Sequence, residues 1–186
     1  MASAFSHAVA GLAMGALFWR PGVPARYWVA GAVVAALPDV DVVGFRLGVP
    51  YGGVLGHRGI THSLAFAALL SAVVVAAVFP SGAGPVPRTE LWLYLCLATA
   101  SHGALDALTN GGGGIAFFAP FHNARYFFPW SPIEVSPLGV RAFFTARGAR
   151  VLANELVWVW LPSLLLAAAA LWLRRRQVTP PGASPV

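Results

Sequence analysis

The chain has 186 residues, of which 58% are hydrophobic and 10% charged, with a mean hydropathy of +0.72. Soluble domains carry about 25% charged residues, so this composition excludes an ordinary water-soluble domain and places the chain in a lipid bilayer. All twelve basic residues are Arg, and the net charge of +6 suits anionic lipid headgroups or phosphate-bearing substrates; no nucleic-acid-binding motif accompanies it, and the single Cys96 excludes an internal disulfide framework.

Five apolar segments follow in chain order. The first, Ala4 to Trp19, ends at Arg20-Pro21-Gly22. No positive charge precedes it after Met1 and His7 interrupts it early, so it reads as a retained helix rather than a signal peptide. The second, Tyr27 to Leu37, meets Pro38, which disfavours a helical Leu37 and ends or kinks the helix. The third, Ser63 to Phe79, starts at a candidate N-cap, Ser63, and stops at Pro80. The fourth, Leu91 to Leu108, closes at the glycine run Gly111 to Gly114. The fifth, Val151 to Leu173, carries Pro162 as an expected kink and closes at Arg174-Arg175-Arg176. A span needs roughly 20 apolar residues; the last three segments qualify, and the first two are short. Period-two alternation is absent, so helices are favoured over a barrel.

The expected fold is therefore all-α: one integral membrane domain over residues 1–176, a polytopic bundle of about five helices, followed by a disordered polar tail over 177–186. The stretch from Thr109 to Arg150 is too polar and broken to span and is expected to fold over one end, with interfacial aromatics such as Phe127, Phe128 and Trp130.

Alternate threading brings the chain's polar motifs to one membrane face. His7 lies near the start of the first segment, Asp39 and Asp41 at the end of the second, and His57 and His62 at the start of the third. His102 and Asp106 lie near the end of the fourth, and Glu155 near the start of the fifth. Ionisable groups are costly beside a bilayer, and bound cations are the simplest reason for so many. His102 and Asp106, spaced i, i+4, share a helical face. Asp39 and Asp41 can point into one cavity from a turn, and Gly59 allows a sharp bend between His57 and His62. Imidazole with carboxylate suits Zn²⁺-like ions. Six such ligands plus His7 suffice for two ions, an arrangement that clamps the attacking and leaving oxygens of a displacement.

Each motif has a plainer alternative. His7 can be a satisfied core residue, Asp39 and Asp41 a helix cap, and His102 with Asp106 a hydrogen-bonded pair. Arg58 can bind a phosphate or simply pair with Asp39 or Asp41. Glu155 can be a late ligand, a base or an Arg partner. His122 reads as interfacial.

Three motifs also carry a resemblance. Leu37-Pro38-Asp39-Val40-Asp41, His57-Arg58-Gly59-Ile60-Thr61-His62-Ser63 and His102-Gly-Ala-Leu105-Asp106-Ala-Leu-Thr109 resemble the YdjM-like membrane-bound metal-dependent hydrolases, with His7 included, over about residues 1 to 115. The order of ligands is also similar to the zinc-dependent phospholipase C and single-strand nuclease superfamily, which implies a helical fold with a zinc cluster that cleaves phosphate esters. The chain lacks that group's second His/acid helical pair, since Glu155 has no His four residues before it, so two ions are expected rather than three.

These readings converge on a hydrolase of the bacterial or archaeal inner membrane that uses metal-activated water on an ester or phosphoester, with a lipid or phosphate-containing substrate. The expected metal ligands are His7, Asp39, Asp41, His57, His62, His102 and Asp106. Asp41 or Glu155 is the candidate base, and Arg58 the phosphate holder. The alternative is a non-catalytic metal-binding transporter or sensor, which should place its ionisable groups at mid-membrane on a path to both faces. A third reading is a structural protein whose polar clusters are salt bridges. Arginines divide six to each side, so orientation rests on the C-terminal Arg triplet, which favours a cytoplasmic C-terminus and an extracytoplasmic metal face.

Overall fold

The computed structural model describes residues 1–137 and 139–178, and is all-helical with no strand among them. Helix α1 (Ala4–Phe18) starts where the Ser3 hydroxyl accepts from the Ser6 amide. Helix α2 (Ala25–Ala36) gives way at Leu37 to a 3₁₀ helix that runs to Leu47. Pro38 has no amide hydrogen to continue the α ladder, so the chain tightens rather than stops. Helix α3 (Leu64–Val78) is capped as expected by Ser63, which accepts from Phe66 N at 3.1 Å. Helix α4 (Arg88–Ala107) is the longest regular α stretch. The cover over one end contains the short α5 (Val140–Phe143).

Helix α6 (Ala146–Glu155) begins before the expected Val151, capped by Thr145, and continues through a π-helical turn at Leu156–Trp160 into α7 (Leu161–Val178). The widened turn lies just ahead of Pro162, where the proline ring and its missing amide hydrogen disrupt the regular ladder. Residues 177 and 178 are helical, and the remainder of the expected tail, 179–186, lies outside the described residues.

Among the described residues, two helical stretches are long and apolar enough to cross a membrane: Ala25–Leu47, with 23 residues, and Ala146–Arg176, with 31. This reorders the sequence expectation. The second segment gains length through its 3₁₀ extension, whereas the third, expected to span, is a 15-residue helix, and the fourth, also expected to span, is not apolar enough to be one of the two. Helices Ala4–Phe18 and Leu64–Val78 are apolar but shorter.

Helix α1 packs against α2, α4 and α7, and α4 also packs against α2 and α3. Small residues permit the closest approach. A Cβ on Gly11 would lie 2.5 Å from the Gly31 carbonyl oxygen, and one on Gly31 would lie 1.6 Å from the Tyr94 hydroxyl. Tyr27 donates to the Gly15 carbonyl at 2.7 Å, and Tyr27, Val34, Leu91, Tyr94 and Leu95 form the buried core around this crossing. Gly11 lies four residues after His7, on the same face of α1. The crossing therefore sets where His7 meets α2 and α4. At the far end of α1, Arg20 pairs with Glu90 at 2.7 Å and Arg174 donates to the Leu17 carbonyl. These arginines lie at the opposite end of the helices from His7.

Candidate metal centre

Four helix ends converge on one cluster. His7 comes from the first turns of α1, Asp39 from the 3₁₀ turn after α2, His62 from the residues leading into α3, and His102 with Asp106 from the last two turns of α4. All five are buried. One ligand atom from each of Asp39, His62, His102 and Asp106 lies within 4.8 Å of the others. His102 Nε2 is 3.3 Å from Asp39 Oδ1 and 4.0 Å from Asp106 Oδ2, and His62 Nε2 is 3.8 and 3.7 Å from the same two oxygens. His7 stacks on His102 with ring centroids 3.6 Å apart. Its Nε2 faces the other carboxylate oxygens, Asp106 Oδ1 at 3.3 Å and Asp39 Oδ2 at 4.0 Å.

Hydrogen bonding orients the ring nitrogens. His102 Nδ1–H donates to the Ala35 carbonyl at 2.7 Å, leaving Nε2 as a lone pair. His62 Nδ1 lies 3.2 Å from Asp41 Oδ2, and the two Nε2 atoms face each other at 3.0 Å. Histidine ligands are oriented in this way at metal sites: one nitrogen is fixed by a carboxylate or carbonyl so that the other points inward. Both oxygens of Asp39, Oδ2 of Asp106 and both nitrogens of His7 are buried without a hydrogen bond. Buried polar atoms are rarely left so, and the donor set of Asp39, His62, His102 and Asp106 fits a divalent cation with nitrogen and oxygen ligands. Burial alone would depress the His62 imidazole; the nearby carboxylates of Asp106, Asp39 and Asp41 outweigh it and push the pKa up to about 10.

Asp41 and His57 stand beside this cluster, where with His62 they form a second possible ligand group. His57 Nδ1–H donates to Asp41 Oδ1 at 2.6 Å, while Asp41 Oδ2 accepts from the Thr61 hydroxyl at 2.6 Å and the Arg58 amide at 3.1 Å. The expected bend falls at Arg58 rather than Gly59: Arg58 takes φ +62°, a left-handed conformation that non-glycine residues rarely adopt. Gly59 serves close approach instead, since a Cβ there would lie 2.2 Å from the Val54 carbonyl oxygen. The Arg58 guanidinium is buried, with Nε 3.3 Å from Asp106 Oδ2 and its other nitrogens donating to the Gly111 carbonyl and the Thr109 hydroxyl.

Glu155 is placed apart from the cluster. It accepts from Ser3 N at 2.6 Å, the Ser3 hydroxyl at 2.5 Å and the Ser6 hydroxyl at 2.7 Å, and so anchors the first turn of α1. A carboxylate there also suits the positive end of the helix dipole. His122 is exposed and lies near the Tyr126 hydroxyl.

A pocket of about 450 Å³ opens beside the cluster, lined by Phe45, Tyr51, His57, Arg58, Ser136 and Arg147, among others. Tyr51, Ser136 and Arg147 carried no motif that would single them out in sequence. Arg125 is likewise unmarked. Its guanidinium donates to the carbonyls of Tyr51 at 2.8 Å and His57 at 3.0 Å, stacks over the Tyr51 ring, and so ties down the loop that carries His57 and Arg58. Its only sequence signal was a charged residue inside an otherwise aromatic and glycine-rich cover.

A family model described as YdjM inner membrane protein matches residues 1–178. The Inner membrane protein YbcI of Escherichia coli (strain K12) is 40% identical over 179 residues, covering 95% of this chain and 100% of that protein. No solved structure matches significantly.

Proposed function

The chain belongs to the YdjM inner membrane protein family, and from that premise we propose that it is a membrane-embedded, metal-dependent hydrolase of an ester or phosphoester. The observation that carries this reading is the set of buried, unpartnered atoms on His7, Asp39 and Asp106, converging with His62 and His102 beside an open pocket. Asp39, His62, His102 and Asp106 would hold a first divalent ion, Zn²⁺ being the best match to their donors. Asp39 Oδ2 and Asp106 Oδ1, the latter also accepting from Ala2 N at 2.7 Å, would with His7 Nε2 offer a second position. When bound, such ions activate water near neutral pH and stabilise negative charge developing on the substrate.

The chain's own residues supply the remaining work. Asp41 fixes His57 through Nδ1, so Nε2 of His57, which lines the pocket, is free to take or deliver a proton there. Asp41 also orients His62. His57 and Asp41 complete a further ligand group only if the His62 ring ligates through both nitrogens, so their role here is orientation and proton movement. Arg58 holds Asp106 and the wall of the pocket, and lies close enough to it to balance an anionic substrate. Glu155 acts as a positioning residue through Ser3 and Ser6 rather than as the base.

The bundle is read as sitting in the inner membrane with the cluster at one face, away from the Arg174–Arg176 triplet; that face is extracytoplasmic if the triplet follows the positive-inside tendency. Ligands gathered at one end of the helices favour hydrolysis over transport, which needs a path to both faces. The test is a turnover screen of phosphodiesters and phospholipids with the full-length protein, using His57→Ala and Asp106→Ala as controls. Metal-dependent cleavage lost in both variants supports the assignment, and undiminished turnover in both defeats it.

A further inference from the structure

The pocket beside the metal cluster has a second arm. It shares Met1, Ser136 and Pro137 with a cleft of about 260 Å³ between α1 and α5, lined by Ala4, Phe5, Phe143 and Phe144. The cleft's walls are aromatic and aliphatic, and Phe5 and Phe143 meet edge to face at 6.3 Å. Phe5 is 62% exposed and Phe144 85% exposed, so its rim is open and apolar. The arm nearer the metal cluster is different in kind. Arg147 lines it, and its side chain makes no hydrogen bond or ion pair among the described residues. Ser136, 5% exposed, lines both arms with a hydroxyl that has no partner. Arg46 stands on an adjoining depression that shares Met1 and Phe45 with the pocket, and its side chain is similarly uncommitted.

We propose that this two-armed pocket binds a lipid with a phosphate-type anionic headgroup, the headgroup lying between Arg147, Ser136 and His57 and a chain lying in the cleft between α1 and α5. An uncommitted guanidinium and a buried, unpartnered hydroxyl together suit a phosphate, which accepts several charge-assisted hydrogen bonds. A water-soluble phosphate would use that arm alone and leave the apolar cleft unexplained. A neutral lipid would fill the cleft and offer Arg147 no counter-charge, and a zwitterionic one would offer a phosphate already offset by its own cation. Only an amphiphile of this class satisfies both arms at once. The inference names the substrate class of the hydrolase reading and rests on it for the chemistry, while the binding it describes stands independently.

The experiment uses the full-length protein in a non-ionic detergent, with native mass spectrometry to count retained lipid. Phosphatidic acid and phosphatidylcholine of equal chain length are supplied at equal concentration, with inorganic phosphate as competitor. Intact lipid and cleaved product count equally as capture. Phosphatidic acid should be retained about tenfold over phosphatidylcholine, the scale of one charge-assisted contact. Arg147→Gln should abolish that preference. Ala4→Phe, which fills the cleft, should lower retention of both lipids while the preference persists. Equal retention of the two lipids by the unmodified protein, or an unchanged preference in Arg147→Gln, overturns the inference. Displacement of phosphatidic acid by an equal concentration of inorganic phosphate also overturns it, because the apolar arm would then contribute nothing. Retention of phosphatidic acid without any cleavage supports this inference alone, and the turnover screen decides the hydrolase reading separately.

Discussion

Replacing Arg125 with Gln tests how the loop carrying His57 and Arg58 is held. The guanidinium makes two well-formed contacts, to the Tyr51 carbonyl at 2.8 Å and the His57 carbonyl at 3.0 Å, and lies 5.1 Å from the Tyr51 ring centroid. Hydrogen bonds from a charged donor contribute about 1.5–3 kcal/mol each. Arg125 is half-buried, so water can replace part of what is lost and the lower end applies. Two such bonds and a cation–π contact of about 0.5–1 kcal/mol give a loss of about 3.5–4 kcal/mol. The loop also carries the left-handed Arg58, a conformation that costs about 1–3 kcal/mol and persists only while its surroundings enforce it. For a chain of this size each kcal/mol moves Tm by about 2–4 °C, so Arg125→Gln should lower Tm by roughly 7–16 °C. Thermal unfolding in detergent, followed by tryptophan fluorescence, reads the shift, and zinc titration reads a parallel fall in affinity. Arg125→Lys should recover little, because a single ammonium cannot serve carbonyls on both sides of the loop. A Tm change below about 2 °C with unchanged metal affinity would refute the reasoning, taking the smallest shift expected for 1 kcal/mol.

Other outcomes follow from the same geometry. Asp41→Asn removes the carboxylate that orients His62 and His57, and should weaken metal affinity by about 10- to 100-fold while leaving the stoichiometry of the first ion unchanged, as measured by competitive titration with a chromophoric chelator. Glu155→Gln removes an acceptor from the Ser3 and Ser6 contacts and should destabilise the start of α1 by about 1–3 kcal/mol; thermal melts check this, and metal content equal to the parent's distinguishes anchoring from ligation. Gly31→Ala would place a Cβ 1.6 Å from the Tyr94 hydroxyl, so overpacking at the α1–α2–α4 crossing should cost about 1–3 kcal/mol or more. The companion substitution Tyr94→Phe, which removes the clashing oxygen, should restore part of the lost melting temperature.

The polar motifs were legible in sequence because they are rare in so apolar a chain and alternate with the segments. That order alone sends His7, Asp39, His62, His102 and Asp106 to one end, where their ligand atoms are found. Helix boundaries were harder to read. Pro38 marks the end of an α-helix but does not say that a 3₁₀ helix continues to Leu47, nor that the chain thereby gains the length of a membrane span. Pro162 signals disruption without revealing a π-helical turn just before it. Asp41 and Asp39 share a turn and a chemistry, so sequence could not separate a carboxylate facing the cluster from one that orients two histidines. Glu155, isolated in an apolar stretch, resembled a ligand. Its partners are two serines at the other end of the chain, a pairing that no local spacing encodes. Arg125, Ser136 and Arg147 act through tertiary placement of an irregular cover, which carries no periodic signal.

Metal content of the full-length protein, measured by inductively coupled plasma mass spectrometry after purification without added metal, addresses the centre most directly. At least one bound divalent transition metal per chain is expected, lost when Asp39→Ala and His102→Ala are combined. Background metal in the unmodified protein, with melting unchanged by chelator, or full occupancy in the double variant would contradict it.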